Sequence, residues 1–174
     1  MDSISRRTFL EAVGIAALTA CSPINKPQPA ELASSPMDLQ AGGWMMQSSA
    51  VARGSGDQLS RVDVPTSGWY AVEVPCTVMA GLIANGEYPD IFYSDNLRHV
   101  QRSRFAHSWW YRTQFFVPPE VGTGWWQLWL HFKGINYRAN IWLNGELIAD
   151  SKTAVGAYRD LELNITEFAV AGQN

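Results

Sequence analysis

Asn140-Ile141-Trp142-Leu143-Asn144-Gly145-Glu146-Leu147-Ile148 sets two apolar, strand-like runs on either side of an Asn-Gly pair. Asn and Gly tolerate the positive φ that both central residues of a two-residue turn require, so this stretch predicts a β-hairpin. Outward from it the same texture continues. Trp44 to Val51, Trp69 to Val74, Trp109 to Val117, Trp125 to Phe132, Tyr137 to Leu143, Glu146 to Ala149 and Arg159 to Ile165 are rich in aromatic and branched residues and bounded by Gly, Pro or Asn. Seven short strands at this spacing predict an all-β sandwich. In the run to Phe132, strand alternation puts Trp126, Leu128, Leu130 and Phe132 on one face, which is assigned to the core. One helix is predicted over Val78 to Ala84, with Thr77 as N-cap and Gly86 just beyond Asn85. Asn85 to Arg104 shows little periodicity and reads as a long loop, a common location for function.

Composition narrows the function. The 174 residues are 47% hydrophobic and include eight Trp, six Tyr and seven Phe, apolar surface that only burial or ligand stacking would use. Lys and Arg number 13 against 16 Asp and Glu, so the basic footprint of a nucleic-acid binder is missing. With Cys21 and Cys76 alone, at most one disulfide and no cysteine metal cluster can form. His99, His107 and His131 are too scattered for a metal site and read as solvent-facing. No Gly-x-Ser-x-Gly elbow and no Gly-rich phosphate loop occurs, and no motif implies a metal or organic cofactor.

The N-terminus reads as an address. Ser5-Arg6-Arg7-Thr8-Phe9-Leu10 resembles a twin-arginine export motif, and Leu18-Thr19-Ala20-Cys21 resembles a lipobox in which the Cys is lipidated. The apolar stretch from Phe9 to Ala20 is shorter than the about 20 residues a bilayer core needs. Residues 1–20 are therefore expected to be a lipoprotein signal peptide and 21–43, rich in Pro, Ser and Ala, a tether. The expected destination is the bacterial cell envelope or periplasm, anchored to membrane through Cys21. Residues 44–174 form the domain.

Five groups of residues carry a family resemblance. Trp69-Tyr70-Ala71-Val72-Glu73-Val74-Pro75-Cys76-Thr77-Val78, Asn85-Gly86-Glu87-Tyr88-Pro89-Asp90-Ile91-Phe92-Tyr93-Ser94-Asp95-Asn96-Leu97 and Trp109-Trp110-Tyr111-Arg112-Thr113 resemble the N-terminal sugar-binding domain of glycoside hydrolase family 2. Gly134 to Gly145 and Gly156-Ala157-Tyr158-Arg159 continue the match. The wording is most similar to the exo-β-D-glucosaminidase and β-mannosidase branch. Cys76 stands where that family usually has Gly, and Ile91 where it often has Pro.

The resemblance implies a galactose-binding-like jelly roll ahead of an immunoglobulin-like domain and a (β/α)8 barrel. It implies a carbohydrate partner with a terminal β-linked sugar of glucosamine or mannose type. Retaining glycosidases use two carboxyl groups about 5 Å apart; in the family both sit on the barrel, so no catalytic residue is assigned here. A pyranose needs hydrogen-bond partners for its hydroxyls and an aromatic face for its C–H surface. Asn96, Asp95, Asp90, Tyr93 and Phe92 offer both on one loop, and Asn96 matches the family's sugar-facing Asn. Packing is the expected role of at least one of Trp109 and Trp110, and anchoring of buried carbonyls or carboxylates that of Arg112 and Arg138. Phe168 to Asn174 resembles the family's turn before another sandwich strand. The expectation is therefore the N-terminal part of an exported β-glycosidase whose barrel lies outside this chain. The alternative is a complete lipid-anchored carbohydrate-binding module without hydrolase activity.

Overall fold

The central strand β1, Trp44–Ser48, pairs antiparallel with β2, Tyr70–Val72, on one side and with β3, Trp109–Arg112, on the other. This sheet belongs to a computed structural model that describes residues 36–119 and 126–174. The export signal, Cys21, the tether as far as residue 35, and Trp125 lie outside the described residues. Three two-stranded ladders complete the β structure. β4, Phe116–Val117, pairs with β9, Gly172–Gln173; β5, Trp129–Phe132, with β8, Leu161–Asn164; and β6, Ile141–Leu143, with β7, Glu146–Ala149.

Three short-range expectations have structural counterparts. Asn144 and Gly145 take φ values of 52° and 96°, closing the β6–β7 hairpin as Asn-Gly chemistry dictates. Helix α2 spans Val78–Ala84, and the Thr77 hydroxyl accepts from the Ala80 amide at 3.1 Å. At the other end the Asn85 amide donates to the carbonyls of Ala71 and Gly81, both at 2.8 Å, tying the helix to β2. On β5, Leu130 and Phe132 are half-buried between exposed Trp129 and His131, as alternation requires.

Several expectations are corrected. Nine strands are present among the described residues rather than seven, because long runs break where side chains capture the backbone. The run from Trp109 divides between β3 and β4: Thr113 bonds to the Gly42 carbonyl, and the Gln114 amide donates to Val62 O at 2.6 Å. β1 ends at Ser48, whose carbonyl accepts from both Val51 and Ala52 at 2.9 Å and turns the chain. Trp126, assigned to the core, is 37% exposed, since it precedes the paired part of β5. A helical turn without a sequence expectation, α1 at Gly56–Leu59, is held from outside. Arg112 donates to Leu59 O at 3.2 Å and Arg61 O at 2.7 Å, the carbonyl anchoring expected of it. Arg138, expected to do the same, is exposed with its guanidinium 6.0 Å from the ring of Tyr137. The segment read as a turn, Phe168 to Asn174, already contains β9, because Phe115 and Asn174 exchange backbone bonds of 3.1 and 2.8 Å beside it.

Among the described residues, one apolar cluster and one fully buried pair stand out. Ala149, Ala154 and Leu161 are buried, with Phe132, Ile135, Ile141 and Leu163 packed against them. Met46 on β1 and Leu82 on α2 are fully buried. Buried Gln47 is satisfied, donating to Gly68 O at 2.8 Å and accepting from the Ser48 amide at 2.9 Å, so it costs little where it lies.

Candidate functional site

The chain between α2 and β3 makes an excursion whose two ends meet again at Arg104. Its guanidinium donates to Glu87 Oε2 at 2.8 Å, to the Tyr88 hydroxyl at 3.4 Å and to the Tyr70 hydroxyl at 3.1 Å. The Tyr70 hydroxyl in turn donates to the other Glu87 oxygen at 2.8 Å. The indole N–H of Trp109 holds the Arg104 carbonyl at 3.2 Å, and the Trp109 ring lies 6.5 Å from that of Tyr70. This neck joins both ends of the loop to β2 and β3, an arrangement of the Ω-loop kind. The Arg104 hydrogen bond, then that from Tyr70, holds the Glu87 carboxyl below its usual range. A depressed folded-state pKa means that the ion pair supports the fold above the unfolded pKa near 4 and is lost as pH falls through the lower folded value.

Between α2 and β3, two 3-10 turns, Asn96–His99 and Arg102–Phe105, stand in the loop expected from the sequence. Asp90 and Ser94 both sit at φ 52°, a conformation uncommon outside Gly, each costing on the order of 1 kcal/mol that surrounding contacts must offset. Such outliers gather at functional sites. Between them Ile91 is buried at 4% exposure, while Phe92 and Tyr93 stand out at 87% and 75%. Ile91, where the resembled family often has Pro, is therefore the loop's apolar anchor.

Each residue singled out in the sequence now has a place. Asn96 is half-buried, and its side-chain amide donates to the Asp90 carbonyl at 2.9 Å, while its own carbonyl oxygen has no hydrogen-bond partner among the described residues. Asp90 is thus engaged through its backbone, with its side chain exposed. Asp95 lies 3.6 Å from His99, and both side chains are exposed. Phe92 and Tyr93 are the loop's outward aromatic pair. The loop brings these five residues into one segment, and the side-chain contact within it joins Asn96 to Asp90. Trp109 packs and hydrogen-bonds, as expected of a strand residue rather than a sugar platform.

The neck itself went unread, because Arg104 meets partners 17 and 34 positions earlier. Its traces in the sequence are Tyr70, Glu87 and Tyr88 within the family motifs, and Arg104 at the end of an aperiodic loop. Cys76 is a free thiol, half-buried, and burial pushes its pKa up, the opposite of a reactive cysteine.

A sequence profile described as the glycosyl hydrolase 2 galactose-binding domain-like family matches residues 44–174. The chain belongs to that family. Curated relatives of this glycosyl hydrolase 2 galactose-binding domain-like chain include an exo-β-D-glucosaminidase from Amycolatopsis orientalis, 38% identical over 132 residues. That match covers 76% of the chain and 12% of the relative. A second, from Hypocrea virens, is 36% identical over 149 residues, covering 80% of the chain and 16% of the relative. The chain thus spans well under a fifth of the length of the relatives it matches. Among solved structures, an exo-chitosanase from Amycolatopsis orientalis aligns with TM-score 0.71 at 38% identity, over 76% of this chain and 15% of that one. A β-D-mannosidase from Dictyoglomus thermophilum aligns at 0.58 and 27%, over 76% and 14%.

Proposed function

We propose that this domain is the sugar-facing N-terminal part of an exported exo-β-D-glucosaminidase-type glycosidase, with the catalytic acid and nucleophile on a barrel outside these 174 residues. The observation that carries this reading is the neck-held loop: it presents Asn96, whose carbonyl oxygen has no partner among the described residues, in one segment with an outward Phe92–Tyr93 pair. An amide that takes one sugar hydroxyl and a ring that takes the C–H face are what a terminal pyranose requires. The carboxylates of Asp90 and Asp95 are exposed on the same segment, available to further hydroxyls or to the ammonium of an amino sugar. The likeness to exo-β-D-glucosaminidases supports glucosamine-type substrates, and the more distant likeness to a β-D-mannosidase keeps a mannose-type β-linked sugar as the second candidate.

The purified chain is expected to show no turnover of a chromogenic β-glucosaminide or β-mannoside. Turnover that disappears in Asp90→Asn or Asp95→Asn would put the reacting carboxyl groups on this loop and overturn the assignment. Binding is a separate measurement: titration with methyl β-D-glucosaminide, followed by NMR, is expected to shift the Asn96 side-chain amide and the Tyr93 ring before other signals.

Residues 1–20 are proposed to direct export, with the mature chain starting at lipidated Cys21 and remaining at the bacterial envelope. Mass spectrometry of the protein from membranes is expected to find a diacylated or triacylated Cys21. An intact Met1 or a bare Cys21 thiol would refute it.

A further inference from the structure

We propose that Arg104 is a positioning residue for this site, acting with Glu87 and Tyr70 as a closure that fixes the loop from Tyr88 to Ser103 and so sets where Asn96, Phe92 and Tyr93 stand. This rests on the reading that the loop faces sugar. The geometry is that of a closure and not of a solitary surface pair. One guanidinium reaches Glu87 and Tyr88 at the loop's entrance, Arg104 itself lies at its exit, and Tyr70 on β2 contacts both charged partners. The Arg104 backbone is held as well, through the indole of Trp109 on β3. Side chains of Arg104 and Glu87 are 29% and 34% exposed, so solvent weakens the charge term but does not remove it.

What the closure holds in place is a conformation that would not persist alone. Asp90 and Ser94 are in the left-handed region, and the loop's internal bonds are few: Tyr93 to Asp90, Asn96 to Tyr93 and Arg98 to Asp95 along the backbone, with the Asn96 side chain on Asp90. Ile91 is its one buried apolar anchor. With the ends untied, entropy favours opening of a segment this long, and these local bonds are the first to exchange with water.

The test is amide hydrogen exchange on the 174-residue chain, read at Tyr93, Asn96 and Arg98 against the β1 and β3 amides. Glu87→Gln and Arg104→Glu are each expected to speed exchange at the three loop amides about fivefold or more while β1 and β3 stay unchanged. The charge-reversed pair Glu87→Arg with Arg104→Glu is expected to restore most of the protection, an outcome that a general packing role would not give. Tyr70→Phe keeps the ring and removes the shared hydroxyl, so it is expected to give an intermediate loss even if a charged variant folds poorly. Unchanged loop exchange in Tyr70→Phe and Glu87→Gln, or equal acceleration in the loop and the sheet, would overturn the proposal. Methyl β-D-glucosaminide titration separates the two ideas: no response at Asn96 in the parent chain, with loop exchange still governed by Arg104, sinks the sugar reading and leaves the closure.

Discussion

Leu82→Ala is expected to cost about 3 kcal/mol of stability, within the roughly 2–5 kcal/mol seen when a buried Leu is cut to Ala. Leu82 is 0% exposed, and the helix that carries it has no room to settle into the void. The adjacent Gly81 already brings α2 against the sheet: a Cβ there would lie 2.6 Å from Met46 Cε and 2.9 Å from Val72 Cγ1. The cavity therefore stays open, and the loss includes missing contacts as well as transfer free energy. Against a typical net stability of about 5–15 kcal/mol this is a large fraction. Urea unfolding should show a lower midpoint with an unchanged slope, whereas Leu82→Met, which conserves volume, should lose less than about 1.5 kcal/mol. A loss below about 1 kcal/mol for the Ala variant would mean that α2 is not packed as described.

Gly56→Ala poses a contest of two magnitudes. In a helix interior Ala is favoured over Gly by about 1 kcal/mol, and Gly56, which opens α1 directly after the Ser55 cap, would gain at most part of that. Gly56 is buried under the indole of Trp142, and a Cβ there would fall 2.1 Å from Cε2 and 2.4 Å from Nε1. No rotation of a methyl relieves that approach; the ring or the α1 backbone must move. Arg112 pins the far end of α1 through Leu59 and Arg61, and Trp142 lies in β6 at a register shift against β7. Overpacking of this kind costs about 1–3 kcal/mol and more where both sides are held, so the net effect is destabilisation by about 2 kcal/mol or more. Thermal unfolding of the variant, followed by Trp fluorescence, is the check. A midpoint equal to or above that of the parent chain would show that the helix term wins.

Features governed by neighbours in sequence were legible before any coordinates. The Asn144–Gly145 turn, the Thr77 cap and the in-out order of β5 depend on interactions within a few residues, so residue type decides them wherever they occur. α1 was only half legible: Gln58 accepts from the Ser55 amide at 3.2 Å in a local capping pair, but Gly56 is a poor helix former and the turn is held by Arg112, more than fifty positions away. β9 was hidden likewise, because Gly172 and Gln173 have no strand preference of their own and pair only through β4 and the bonds between Phe115 and Asn174.

The candidate site divides along the same line. Its chemistry, an Asn and an aromatic pair between turn residues, could be read from Asp90 to Asn96 as letters. Its geometry could not. Local order predicted neither that Ile91 turns inward while Phe92 and Tyr93 turn out, nor that Asn96 leans on the Asp90 carbonyl, nor that Arg104 closes the loop on Glu87 and Tyr70. Turn and cap energies act over three or four residues and are written into the residues themselves. The closure is a long-range bond set that exists only once β2 and β3 stand on either side of β1, and that juxtaposition is a product of burial, which chooses among all the pairings that the strand pattern permits.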